Sequence, residues 1–298
     1  MGIGPHLVSG PLYHSGPIQA TALLVSGVPV HVPPRFDPTV ILETIERERI
    51  ASTLMVPTHF VRLLRAREEA AREYDVSSIR LVTQTGAGCA EEVKRKMIDW
   101  WGEVFLQTYG GTETGGVCAI TTAEWLQRPN SVGCAIRGIR AFVVDDAGTE
   151  LPPGAEGRLF FESESGWGIE YENEPELTAA AHLRPGVFTL GEIGRVDPDG
   201  YVFLTDRDSD KIVTGGVNIY PAESERVLSE HPAVSDVAVI GIAHPEMGEE
   251  AVALVVRADG TDPTESELVS FCRSRLSAVK TPVSSSSSTA SSAPRWGS

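Results

Sequence analysis

Residues 205–225 read T-D-R-D-S-D-K-I-V-T-G-G-V-N-I-Y-P-A-E-S-E, and this stretch decides how the chain is divided. A strand runs into a turn crowded with acidic and basic side chains at 206–210. A second strand, I-V-T, reaches the Gly215-Gly216 pair, and the chain returns through V-N-I-Y before Pro221 opens a helix. Proline suits a first helical position because its missing N–H would have no partner there. Paired glycines let backbone approach a ligand or another chain closely. The charged turn is where a domain boundary fits.

Upstream, strands alternate with helices. Asp37-Pro38 supplies an N-cap and first helical residue for a helix through Arg49. Residues 52–56 form a short apolar strand, Pro57 begins a helix to about Arg72, 79–83 is a strand, 90–101 a helix and 104–108 a strand. This predicts an α/β fold with a mostly parallel sheet, continuing to about residue 130. Lys94 and Lys96 fall on a charged helix face read as solvated. Strand-like runs at 139–144, 158–162, 187–196 and 201–204 follow, separated by D-D-A-G at 145–148 and D-P-D-G at 197–200. Such turn chemistry predicts a small antiparallel β unit.

Downstream of Arg207, a helix at 222–230, strands at 234–242 and 251–257, and a helix at 265–277 predict a small α+β domain. Thr264 and Glu267 form a capping box for the last helix. Residues 284–298 are serine-rich without periodicity and are expected to be disordered. The expected organisation is a partial α/β large domain at 1–130, its β subdomain at 131–206, a mobile C-terminal domain at 207–283, and a tail at 284–298.

Composition bounds the partners. The 298 residues are 41% apolar and 22% charged, with 25 basic and 41 acidic side chains and a net charge of −16. That balance argues against broad nucleic-acid or anionic-membrane binding, though not against a local phosphate site. Cys89, Cys118, Cys134 and Cys272 are scattered without a C-x-x-C, as in a cytoplasmic protein with reduced thiols, and no zinc site is expected. No run reaches the roughly 18 apolar residues of a membrane span, and residues 1–10 lack a basic leader. The oligomeric state is not legible.

Residues 108–116, T-Y-G-G-T-E-T-G-G, follow a strand and hold four glycines. Such a loop can wrap a nucleotide while exposing amides to phosphate oxygens. Thr112 offers a hydroxyl, and Glu113 a carboxylate suited to magnesium. A glycine-rich turn with a solvated Glu is the alternative reading of the same residues. Thr85-Gly86-Ala87-Gly88 ends another strand, and residues 11–16 read P-L-Y-H-S-G.

Together with residues 205–225, this motif resembles two signatures of the adenylate-forming (AMP-binding) superfamily, which includes acyl-CoA synthetases, luciferases and nonribosomal adenylation domains. The resemblance covers about residues 4–283. It implies the latter part of an adenylate-forming large domain followed by a small C-terminal domain. It also implies ATP-dependent ligation: a carboxylic acid and ATP give acyl-AMP, and coenzyme A then takes the acyl group as a thioester. ATP or AMP, magnesium and coenzyme A are the implied cofactors and co-substrates.

By the same resemblance, Tyr109 packs on adenine, Gly110 belongs to the cofactor-binding loop, Thr112 contacts phosphate and Glu113 binds magnesium. Gly86, Ala87 and Gly88 line adenine, and His14 lines the acyl pocket. Glu192 stands where the family usually has an Asp that accepts from both ribose hydroxyls; it keeps the charge and adds one methylene. Arg207 matches an Arg on ribose and phosphate. Ser209 replaces the usual Asp or Lys of the pivot between two domain orientations. Gly215 and Gly216 match the loop near the acyl centre and pantetheine tunnel.

Two family features have no match. The family's Ser/Thr/Gly-rich phosphate loop with its Lys, expected upstream of the 11–16 motif, has no match in the residues before His14, and no G-x-x-x-x-G-K-[ST] occurs elsewhere. The four lysines are Lys94, Lys96, Lys211 and Lys280, none in the family's C-terminal catalytic setting. The expectation is therefore a partial chain that binds nucleotide in weakened form and adenylates poorly by itself. A non-catalytic AMP- or CoA-binding remnant, and an adenylation module serving a carrier protein, are the alternatives.

Overall fold

Helices and strands group into two compact units in this computed structural model. It describes residues 4–10, 12, 16–207, 212–214, 217–219, 221–244, 248–258, 260–277, 281–282 and 284–288, with backbone alone at 16–19, 206–207, 213, 217–218, 248 and 284–288. The first unit is Met1–Leu190 with Arg195–Leu204, and the second is Gly191–Gly194 with Thr205–Ser298.

The first unit opens with β1 (His6–Val8), α1 (Gly16–Val25), β2 (Val30–His31), α2 (Pro38–Glu48), β3 (Ser52–Met55), α3 (Pro57–Glu69), β4 (Leu81–Gln84), α4 (Glu91–Trp101) and β5 (Phe105–Gly111). Local chemistry starts and stops these elements. Asp37 Oδ1 accepts from the amides of Thr39 and Val40 at 3.1 and 3.2 Å, and Arg49 closes α2 in the left-handed region at φ 51°. The five strands lie in the order β5-β4-β3-β1-β2, all parallel. Ile41, Leu42 and Ile45 of α2, Phe60 and Leu63 of α3, and Met97, Ile98 and Trp101 of α4 share one core with Leu7, Met55, Val82 and Phe105 of the strands. Burying each such side chain contributes about 1.5–3 kcal/mol.

The parallel pattern ends earlier than residue 130. β6 (Gly115–Thr121) returns antiparallel on β5 through a short turn. Parallel pairing needs a crossover of about a dozen residues, and the three residues between these strands cannot supply one. The chain continues through α5 (Thr122–Gln127), β7 (Ser131–Ala135), β8 (Ile139–Val144), β9 (Glu156–Ser163), α6 (Pro175–Ala180), β10 (His182–Arg184), β11 (Val187–Phe188), β12 (Glu192–Val196) and β13 (Tyr201–Arg207). The single strand expected over 187–196 is two, broken where Gly191 takes φ +88°. The sheet runs in the order β10-β11-β9-β12-β13-β7-β6-β5-β4-β3-β1-β2, with β8 on β9. A second core, built on Val117, Val143, Leu159, Phe161, Phe188 and Val202, backs this antiparallel part.

The second unit contains β14 (Ile212–Thr214), β15 (Val217–Ile219), α7 (Pro221–Ser229), β16 (Val234–His244), β17 (Gly248–Arg257), α8 (Glu265–Arg273) and β18 (Ser284–Ser288). β14 and β15 form the hairpin read from residues 205–225. The Thr264–Glu267 capping box forms, with Glu267 Oε2 accepting the Thr264 amide at 2.8 Å. Val227 and Leu228 of α7 and Leu268 and Cys272 of α8 pack on Val239, Ala253 and Val255. The expected disorder from residue 284 is corrected at its start: Ser284–Ser288 pairs parallel with Val252–Val256. A strand edge offers unpaired amides and carbonyls, which a serine run can meet through backbone alone. Residues 289–298 lie outside the described residues.

Candidate functional site

Parallel pairing of β4 and β5 sets Gln84 opposite Gln107. The loop at 85–88 and the hairpin from Thr108 therefore leave the sheet side by side, at neighbouring carboxyl ends. Ligands of open α/β sheets bind at such ends. Gly86 takes φ +87°, and a Cβ there would lie 3.2 Å from Val56 Cγ1. Gly86, Ala87 and Gly88 are exposed.

The hairpin requires glycine. A Cβ on Gly110 would stand 1.8 Å from the Gly115 carbonyl oxygen. The turn is closed by the Thr114 amide donating to Gly111 O at 3.4 Å and by the Gly111 amide donating to Thr114 Oγ1 at 3.2 Å. Thr112 and Glu113 are exposed at its tip, while the half-buried Tyr109 ring lies 6.0 Å from that of Phe161. Tyr171, before α6, donates its hydroxyl to Glu113 Oε1 at 3.3 Å. Burial, and then the Glu113 charge, raise the Tyr171 pKa above its usual value, which keeps the phenol a donor.

A magnesium ion fits this arrangement. Among the described residues no three His, Cys, Asp or Glu side chains form a metal cluster, so Glu113 would be a single protein carboxylate. Mg²⁺ commonly binds through one or two carboxylates plus substrate phosphates. A Cβ on Gly111 would lie 2.5 Å from Glu113 Oε2, so glycine leaves that oxygen its place.

Glu192 opens β12 and belongs with Gly191–Gly194 to the second unit. Arg207 ends β13, with only its backbone described. His14, Ser209, Gly215 and Gly216 lie outside the described residues. The structure thus starts the stretch Gly86, Ala87 and Gly88 and the stretch Tyr109, Gly110, Thr112 and Glu113 from paired positions, Gln84 and Gln107, on neighbouring strands.

Three features were missed from sequence. Tyr171 gives no local signal, being 58 residues from its partner. Lys94 is corrected from solvated to buried, at 1% exposure. It occupies the first position of the stripe Lys94, Met97, Ile98, Trp101, whose helical spacing turns all four inward. Its Nζ donates to Gln107 Oε1 at 2.5 Å and lies 4.4 Å from the Trp125 ring centroid. Burial brings its pKa down to about 8. Lys96 does face solvent, paired with Glu92 at 2.8 Å. At the carboxyl ends of β1 and β3, His59 stacks on Phe36 with centroids 4.0 Å apart, and burial lowers its pKa to about 4.

The profile of the AMP-binding enzyme family matches residues 6–166, and that of the AMP-binding enzyme C-terminal domain matches 223–285. A feruloyl-CoA synthase from Amycolatopsis sp is 35% identical over 283 residues, covering 93% of this chain and 56% of that relative. The amide bond synthetase McbA from Marinactinospora thermotolerans superposes with a TM-score of 0.84 at 32% identity, over 96% of this chain and 58% of that one. An o-succinylbenzoate coenzyme A synthetase from Bacillus subtilis, solved with ATP and magnesium, gives 0.83 at 26% identity, over 95% and 58%. The chain spans about half the length of the relatives it matches. It belongs to the AMP-binding, adenylate-forming family of acyl-CoA ligases and related enzymes.

Proposed function

We propose that the chain serves an ATP-dependent acid–thiol ligase of the acyl-CoA synthetase type. A carboxylate oxygen of the acid attacks the α-phosphorus of ATP, the bond to the β-phosphate oxygen breaks, and pyrophosphate leaves. The sulfur of coenzyme A then attacks the acyl carbonyl, its proton is lost, and the carbon–oxygen bond to AMP breaks. Magnesium, when bound, neutralises phosphate charge as it builds up. Glu113 would hold that ion, with Tyr171 orienting the carboxylate. Thr112 offers its hydroxyl to phosphate, the 86–88 loop and Tyr109 flank adenine, Glu192 accepts from ribose, and Arg207 answers ribose and phosphate. His14 would line the acyl pocket. A pivot at Ser209 would bring Gly215 and Gly216 toward the thiol channel.

The single observation that supports this reading is the parallel pairing of β4 with β5, from whose adjacent ends the 85–88 glycine loop and the Glu113 hairpin continue. ATP–pyrophosphate exchange with a panel of fatty and aromatic acids tests it, beside calorimetry with AMP. AMP binding with acid-dependent exchange is expected. AMP binding without exchange would leave the non-catalytic remnant, and neither signal would discard the reading.

The likeness to an amide bond synthetase supports a second acceptor class, an amine in place of the thiol. Offering coenzyme A, a set of amines and a pantetheinylated carrier protein to the same acyl-AMP separates the three acceptors.

A further inference from the structure

Lys94 is a buried cation that, among the described residues, has no carboxylate partner. Taking an ammonium out of water costs several kcal/mol unless it is well paired, and an apolar residue at the head of the Lys94, Met97, Ile98, Trp101 stripe would avoid that cost. The fold instead places Nζ between the Gln107 amide oxygen on β5 and the Trp125 ring on α5, so one side chain ties α4, β5 and α5 together. Gln107 lies two residues before Tyr109, on the strand that carries the Glu113 hairpin. Its register partner Gln84 directly precedes the 85–88 loop and is fully buried, with neither amide atom hydrogen-bonded. Buried polar groups therefore gather where both candidate loops leave the sheet.

We propose that Lys94 is a positioning residue: by holding Gln107 it fixes the end of β5, and so the place of Tyr109 and Glu113 at the nucleotide site. The ammonium touches no substrate in this role. It acts through a side chain, as the outer partners of a metal ligand do, and loss of such partners commonly costs about 10–100-fold in affinity. The inference rests on the nucleotide-site reading above, but its effect on the hairpin is independent of any ligand.

The test is a small set of variants of the full chain: Lys94→Met, Gln107→Leu, the two combined, and Gln107→Glu. Replacing a buried polar pair by apolar groups of similar volume is often neutral or stabilising. The double variant is therefore expected to melt no lower than the parent, yet to bind AMP about tenfold more weakly. Its amides over residues 109–114 are expected to exchange about tenfold faster, while those of β3 stay unchanged. Gln107→Glu keeps an acceptor for Nζ and is expected to retain parental affinity and protection. A merely structural role predicts the opposite, with affinity following melting temperature and Gln107→Glu behaving no better than Gln107→Leu. If Lys94→Met does not fold, the comparison of Gln107→Leu with Gln107→Glu decides alone. If the parent itself binds no AMP, the nucleotide reading fails, and hairpin exchange alone decides the positioning role. Unchanged exchange at 109–114 in a folded double variant would overturn the proposal.

Discussion

Tyr171 and Glu113 meet across 58 residues of chain, the phenol donating to Oε1 of the carboxylate at 3.3 Å. One oxygen is thereby held, and the other sits where a Cβ on Gly111 would be only 2.5 Å away. The hydrogen bond favours one orientation of an acid that is otherwise exposed at the turn. Glu113→Gln should lower pyrophosphate exchange by about 100-fold, as loss of a well-placed electrostatic group commonly does. Tyr171→Phe removes one hydrogen bond and should cost about 3–10-fold. Magnesium titrations of both variants check the assignment, and equal magnesium dependence in Glu113→Gln and the parent would remove Glu113 from the metal site.

Glu192→Ala should weaken AMP binding by about 1–3 kcal/mol, because a charge-assisted bond to ribose would be lost. Glu192→Asp, one methylene shorter, tests whether reach or charge decides. Calorimetry with AMP and with 2′-deoxy-AMP reads the difference. Equal affinities across all three proteins would show that Glu192 does not touch the sugar.

Two glycines of the candidate loops should behave oppositely. Gly110→Ala drives a methyl into the Gly115 carbonyl and should cost about 1–3 kcal/mol or more, together with AMP binding. Gly88→Ala meets nothing within 4 Å and should stay within about 0.5 kcal/mol of the parent. Urea denaturation of both provides the comparison.

Lys94 gives stability a pH slope. Its folded pKa, lowered by burial to about 8 from 10.5, lies below the unfolded value, so the fold disfavours the charged form. Between about pH 8 and 10.5 the unfolded chain binds more protons, and this group's contribution rises with pH. Its penalty is complete below about pH 8 and relieved above 10.5, by an amount on the order of 3 kcal/mol. The groups around it are Cys89, whose thiol burial raises to about 11, and Arg95, whose guanidinium lies 5.6 Å from the Trp125 ring centroid. The difference in urea midpoint between the parent and Lys94→Met, followed from pH 7 to 10.5, isolates the effect. A constant difference would contradict it.

Much of this was legible because the chemistry is local. Asp37-Pro38, the Thr264 capping box and the two-strand reading of residues 205–225 each depend on neighbours in sequence, and each forms. The glycines of 108–116 signalled a tight turn, and Gly110 meets Gly115 in one. What sequence could not supply was distance. Tyr171 reaches Glu113 only through the packing of the loop before α6. The antiparallel return of β6 was hidden because G-G-V-C-A-I-T lacks the alternation of a half-exposed strand. Lys94 was misread although its signal was present: the stripe through Met97, Ile98 and Trp101 includes it by spacing, and charge outweighed period in the reading.

The pairing of Ser284–Ser288 with β17 bears on how this stretch can vary. A parallel ladder is made by main-chain groups, which every residue carries (proline lacking the N–H), so the pairing with β17 fixes chain direction and register without naming a side chain. Substitution there would be filtered by solubility and self-association, since an apolar replacement would turn a plain edge into an adhesive one.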